Sequence, residues 1–308
     1  MTGRELYAPR QPGHRRTWTV AAFVLIVVFV VLGDVLAVLT GALLGLVDLT
    51  TETESLGGEL WLLFAGFGGG AALVLLWVRA YERRGLSAIG LGRRRALLRF
   101  GRGYLLGLAC VLVTIGAIWA AGGYVVENGG ALVRGAALAA LGPIGLFLLA
   151  FIVQGSTEEI IARGWLMQVI ASRYGVLLAI LGNTALFTLA HAGNIAASPE
   201  LALGLVNIAL FAIAASLYAV KEGSIWGVCG WHASWNWLLG LGFGLEVSGQ
   251  ALPVSPLVID LAARPDAAWW LTGRAFGPEG SVCETVLLAL LALYFASRPM
   301  PTVPTETA

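Results

Sequence analysis

The sequence predicts an all-α fold: a polytopic membrane protein of about eight transmembrane helices enclosing a polar intramembrane cavity. Three observations carry this. Apolar residues make up 58% of the 308-residue chain and charged residues 12%, with a mean hydropathy of +0.83. Runs of about 20 mainly apolar residues, each long enough for a hydrocarbon core of ~30 Å, recur along the whole length. A few ionisable residues sit inside the later runs, where an isolated charge costs ~3 kcal/mol on insertion scales and therefore needs a partner or a purpose.

Taken in order, the spans fall at 18–47, 60–80, 103–123, 136–172, 176–193, 201–220, 224–246 and 282–297. The first follows a basic stretch, residues 1–17 with Arg4, Arg10, Arg15 and Arg16, but is too long for a cleaved signal peptide and reads as a retained span. Short loops orient the bundle through their Lys and Arg content. Eight arginines lie between Arg79 and Arg102, Arg173 marks the next turn on that side, then Lys221, then Arg298. The 48–59 loop carries Asp48, Glu52, Glu54 and Glu59 without a basic residue, and 194–200 has only Glu200. Both termini are therefore expected in the cytoplasm, on a multi-pass protein of the cell membrane.

The expected organisation is a cytoplasmic N-terminal tail at 1–17, a single membrane domain at 18–297 and a C-terminal tail at 298–308. The 247–281 connection, with Pro253, Pro256, Pro265 and Pro278, reads as a partly ordered cap whose Trp269 and Trp270 suit a membrane interface. No 20–50-residue repeat is present. A net charge of +1 argues against a nucleic-acid partner. Cys110, Cys229 and Cys283 lie in apolar segments without Cys-x-x-Cys spacing, so neither a disulfide framework nor a thiolate zinc site is indicated.

The chemistry concentrates in three stretches. Gln154-Gly-Ser-Thr-Glu158-Glu159-Ile-Ile-Ala-Arg163 sets two carboxylates and a guanidinium in an apolar run, and Phe187-Thr-Leu-Ala-His191 and His232-Ala-Ser-Trp-Asn236 add two histidines and an amide. Within each, Glu159 and Arg163, Phe187 and His191, and His232 and Asn236 are four apart, so each pair stacks on one helix face. Bland readings cover part of this. Ser156-x-x-Glu159 fits a capping box at a kink or fresh helix start near Gly155-Ser156, and Arg163 neutralises Glu159. Glu158, about 100° further round the helix, is left unexplained. Trp226, Trp231, Trp235 and Trp237 read as packing and interface anchors, Asp34 and Asn183 as structural hydrogen-bonding groups, and Phe187 as a neighbour that limits His191.

Depth brings the groups together. A turn at 173–175 makes its flanking helices an antiparallel hairpin, and Glu158 and His191 both lie ~22–24 Å from it at the helical rise per residue. His232 and Asn236 reach similar depth. A carboxylate pair, two histidines and an amide in a dry pocket suit hydrolysis: a Glu as general base on water, His and Asn as donors to the oxyanion of a tetrahedral intermediate. A zinc ion held by Glu158, His191 and His232 is the alternative, although His-Glu-x-x-His is absent.

In this order and on successive spans, Glu158-Glu159-x-x-x-Arg163, Phe187-x-x-x-His191 and His232-x-x-x-Asn236 resemble the CAAX-protease and bacteriocin-processing family (CPBP, or Abi) of intramembrane endopeptidases. The likeness covers about 140–245, including Gly-Ser-Ile-Trp before His232, and is looser over the first three spans. Ala162 stands where members often carry an aromatic. The resemblance implies an eight-helix fold with a polar cavity and peptide-bond hydrolysis. It also implies Glu158 as base with Glu159 and Arg163 as its supports, His191 near the water, and His232 with Asn236 at the oxyanion. Members are described both as metalloproteases and as glutamate-activated-water enzymes; here no cofactor is expected to be obligatory, with zinc as the alternative. The expected partners are the lipid bilayer and a peptide or membrane-protein substrate. Arginine outnumbers lysine 18 to 1, a bias that suits a GC-rich bacterium, so a prenylated substrate is not expected. A second class remains open in the sequence: a non-catalytic membrane scaffold or transporter-like binder whose buried Glu and His relay protons or hold a cation.

Overall fold

The apolar runs become helices in the structure, a computed structural model that describes residues 3–50, 55–133, 137–252 and 254–299, with backbone alone at 137–139. Among the described residues helical segments lie along the stretches read as spans: α1 (Thr19–Leu43), α2 (Leu56–Tyr81), α3 (Ala96–Ala120), α4 (Ala137–Glu159, continued to Tyr174), α5 (Val176–Ala190), α6 (Pro199–Glu222), α7 (Trp226–Trp237, continued to Gly242) and α8 (Val282–Ser297). Five of them, α1, α2, α3, α4 and α6, are long and apolar enough to cross a membrane. With 15 and 16 residues, α5 and α8 reach only ~23 Å, short of the ~30 Å core. Glu52, Glu54, Pro253 and the tail from 300 lie outside the described residues.

Burial is inverted relative to a soluble bundle. Helix α1 turns Ala22, Ile26, Phe29, Gly33, Ala37 and Gly41 inward at three- and four-residue spacing, while Val24, Val27, Val31 and Val35 face out. Lipid accepts the valines, so the inner stripe is selected for close approach and not for hydrophobicity. The tightest seam joins α3 to α7: a Cβ on Gly103 would stand 1.7 Å from the Gly227 carbonyl oxygen. Two stretches are buried on every side, 159–172 of α4 and 227–236 of α7. They carry four of the six expected site residues, Glu159, Arg163, His232 and Asn236.

Two features depart from the sequence reading. The chain is not purely helical: β1 (Tyr124–Gly129) pairs antiparallel with β2 (Ile259–Ala263), Tyr124 opposite Ala263 and Gly129 opposite Ile259. Both strands are too short for their alternation to stand out beside 20-residue apolar runs. The 247–281 connection is thereby tied down, and Glu279 fastens it further by accepting from Trp235 Nε1 at 2.9 Å and Ser248 Oγ at 2.9 Å. Trp270 is half exposed, as an interface residue should be.

The basic N-terminal stretch also packs where a tail was expected. Leu6 and Tyr7 are buried. The Leu6 amide donates to Gln168 Oε1 at 2.8 Å, and Glu5 Oε2 accepts from Gln168 Nε2 at 2.6 Å and Arg84 Nη2 at 2.8 Å. Residues 5–7 thus lie against the C-terminal half of α4. Burial, with Glu159 close by, pushes the Tyr7 phenol above its ordinary value and keeps it a donor.

Candidate active site

The helix carrying the first motif does not restart at Ser156. Because residues 137–155 are already helical, the amides that a capping box would satisfy have partners one turn back, and the capping reading of Ser156 and Glu159 is corrected. The irregularity comes later, as a π-helical stretch at Ile160–Leu166. Its i→i+5 spacing puts one extra residue into the turn between Glu159 and Met167 and loosens the backbone there. Tyr7 Oη donates to the Arg163 carbonyl at 2.8 Å, which closes this turn from outside.

Freed from capping, Glu159 looks inward. Its Oε1 accepts from Arg163 Nη1 at 3.0 Å and from His232 Nδ1 at 2.9 Å, and Glu159 and Arg163 are both completely buried. A carboxylate only accepts, so the proton on His232 Nδ1 points at Glu159 and that ring is held in one orientation. Helix α7 comes close enough because position 155 is glycine, where a Cβ would meet the Ala233 amide at 3.0 Å. The Arg163 guanidinium sits over aromatic rings, its Cζ 4.0 Å from the Phe187 centroid and 5.4 Å from that of Phe211.

Glu158 points to the other side of the same imidazole. Its Oε2 stands 3.8 Å from His232 Nε2, too long for a hydrogen bond and short enough for both atoms to share one water molecule. That oxygen is buried and has no hydrogen-bond partner among the described residues. Its Oε1 accepts from Gln154 Nε2 at 2.5 Å, and Gln154 Oε1 accepts from Asn236 Nδ2 at 2.9 Å. Five of the six expected residues, Glu158, Glu159, Arg163, His232 and Asn236, therefore form one connected network.

His191 stands apart from it. The expectation that Glu158 faces His191 is corrected: among the described residues no carboxylate oxygen lies within 4.0 Å of that imidazole. Residue 191 ends helix α5, its Nδ1 donates to the Phe187 carbonyl at 2.8 Å, and its ring lies 4.8 Å from the Phe187 ring. Phe187 also lies edge-on to His232 at 6.3 Å, so this aromatic touches the surroundings of both histidines. Equal depth along a hairpin fixed height but said nothing of which way a helix end turns. His191 does reach the site by another route: with His232, Asn236 and Trp235 it lines a small, partly open pocket.

The sequence reading did not single out three residues found here. Gln154 was in view, four before Glu158 and thus on its face, but an amide in an apolar run was given no role. Glu279 and Glu284 line the far wall of the cavity. They come from the cap and the start of α8, outside the motifs, and no spacing signalled them.

The three donors of the zinc alternative, Glu158, His191 and His232, are not gathered at one point: among the described residues no three His, Cys, Asp or Glu side chains are grouped closely enough to hold a metal ion.

A dry helical bundle with a paired Glu-Arg, a Glu-oriented histidine and a second carboxylate facing that histidine defines a class: a membrane protein with the equipment for acid–base chemistry on water. Residues 140–238 match the family model described as type II CAAX prenyl endopeptidase Rce1-like. The match holds all three motifs and agrees with the CAAX-protease resemblance; α1, α2, α3, α8 and both strands lie outside it. Searches of curated proteins and of solved structures found no match.

Proposed function

We propose that the chain is an intramembrane endopeptidase that hydrolyses peptide bonds of membrane-embedded or membrane-proximal substrates through a water activated by Glu158. The observation that carries this is the free Glu158 Oε2, buried and 3.8 Å from the Nε2 of an imidazole whose other nitrogen is bound to Glu159. Glu158 takes a proton from the water as it adds to the scissile carbonyl, then returns it to the leaving amine. In its imidazolium form His232 donates from both nitrogens, Nδ1 to Glu159 and Nε2 to the oxyanion. Asn236 has two N–H groups, and with one on Gln154 the second is left for the same oxygen. Glu159 and Arg163 hold the imidazole, and His191 with the cavity aromatics lines the approach. No step is assigned to a metal ion or other cofactor.

The Rce1-like description names prenylated CAAX proteins as the family's substrates. For this chain the reading extends to a peptide or membrane-protein segment reaching the cavity from the bilayer. Detergent-purified protein is expected to cleave a quenched fluorescent peptide carrying one transmembrane helix, or its farnesylated C-terminal counterpart. His232→Ala and Asn236→Ala should each lower kcat by about 10²-fold, the usual loss for one oxyanion donor. Wild-type hydrolysis of both peptides no faster than that of the double variant overturns the reading.

The arrangement we propose in the membrane has eight crossings and both termini in the cytoplasm, supported by the apolar helices among the described residues and the arginine-rich 79–102 segment. A reporter fused after Glu54 should be active only outside the cytoplasm, and one fused after Arg94 only inside it; the reverse pattern defeats the orientation.

A further inference from the structure

We infer that Gln154 is a positioning residue for the catalytic carboxylate, an inference that rests on the peptidase reading above. Its side chain is 8% exposed and uses both ends: Nε2 donates to Glu158 Oε1 at 2.5 Å, and Oε1 accepts from Asn236 Nδ2 at 2.9 Å. The other buried amides bond elsewhere. Asn183 donates to Ser216 Oγ, Gln168 to Glu5, and Asn207 to the carbonyls of Glu279 and Ser281. Gln154 alone among these joins two of the groups assigned to the reaction.

The consequence is a division of labour between the two oxygens of Glu158. Oε1 is occupied by the amide, so the carboxylate plane is fixed and Oε2 is the oxygen presented to the water and to His232 Nε2. The other end settles Asn236. An amide oxygen can only accept, so the Asn236 NH2 group faces Gln154 and not its own carbonyl, which aims the second N–H toward the oxyanion position. One glutamine thus orients the base and one of the oxyanion donors, across the α4–α7 interface that Gly155 lets close.

Methionine fills the same volume without either hydrogen bond. Gln154→Met should lower kcat by about 10- to 100-fold, the loss expected for a misplaced reacting group, with KM and melting temperature little changed. A residue that merely fills space would change neither constant in this way. In a Glu158→Asp background, where the shortened carboxylate no longer reaches Gln154, the same substitution should lower kcat by clearly less, by only the share owed to Asn236. Wild-type kcat in Gln154→Met, or an equal fall in both backgrounds, overturns the inference. A readout needing no substrate separates this from the peptidase reading: with glutamine side chains ¹⁵N-labelled, the Gln154 amide signal, assigned by its loss in Gln154→Met, should move in Glu158→Asp. An unmoved signal sinks the role of Gln154, whereas a moved signal with no cleavage by wild type sinks the peptidase reading alone.

Discussion

Glu158→Gln is expected to lower kcat by a factor on the order of 10² to 10⁴ with the melting temperature unchanged, because the substitution removes the base while keeping size and the contact to Gln154. The geometry makes this change unusually clean. Glu158 Oε2 has no hydrogen-bond partner among the described residues, so no neighbouring donor loses its acceptor when the oxygen becomes an amide nitrogen. Glu159, 0% exposed and bound to Arg163 and His232, gives the contrasting control. Cleavage of the transmembrane peptide by variants matched for melting temperature decides the matter, and a Glu158→Gln enzyme working at the wild-type rate excludes this glutamate as base.

Arg163→Gln should cost stability first and activity as a result. The guanidinium is completely buried, holds Glu159 Oε1 at 3.0 Å and lies 4.0 Å from the Phe187 centroid. Removing it leaves Glu159 as an uncompensated buried charge, and breaking a buried pair from one side typically destabilises by about 3–5 kcal/mol. Thermal unfolding in detergent should show a clear drop, with a poor yield of folded protein. Arg163→Lys keeps the charge but loses the guanidinium over Phe187, so it should fall between the two. An Arg163→Gln protein as stable as wild type would show that Glu159 does not depend on this partner.

Much of this site was legible in the sequence because cost marks function in lipid: Glu158, Glu159, Arg163 and His232 stood out as charges or imidazoles with no business in an apolar helix. Their four-residue spacing then gave the Glu159–Arg163 pair directly. What the sequence could not show was rotation. Whether Glu158 meets His191 or His232 depends on the π-helical stretch at Ile160–Leu166 and on how α5 ends, neither of which leaves a periodic trace. The same holds for Glu279 and Glu284, whose place at the cavity is set by the folding of the cap around β2. Spacing reports neighbours along one helix; partners across helices come from packing, and here from glycines such as Gly155 that let two helices touch.

The docking of residues 5–7 onto α4 has a consequence for how the molecule is made. Leu6 bonds Gln168 across 162 residues of chain and Tyr7 bonds Arg163 across 156. On the ribosome the early segment must therefore wait, unpartnered at the membrane surface, until four helices have been delivered to the bilayer. Only then does the loosened turn of α4 acquire the phenol that closes it. A bulky fusion placed just ahead of Glu5 would be felt at Arg163, which is completely buried.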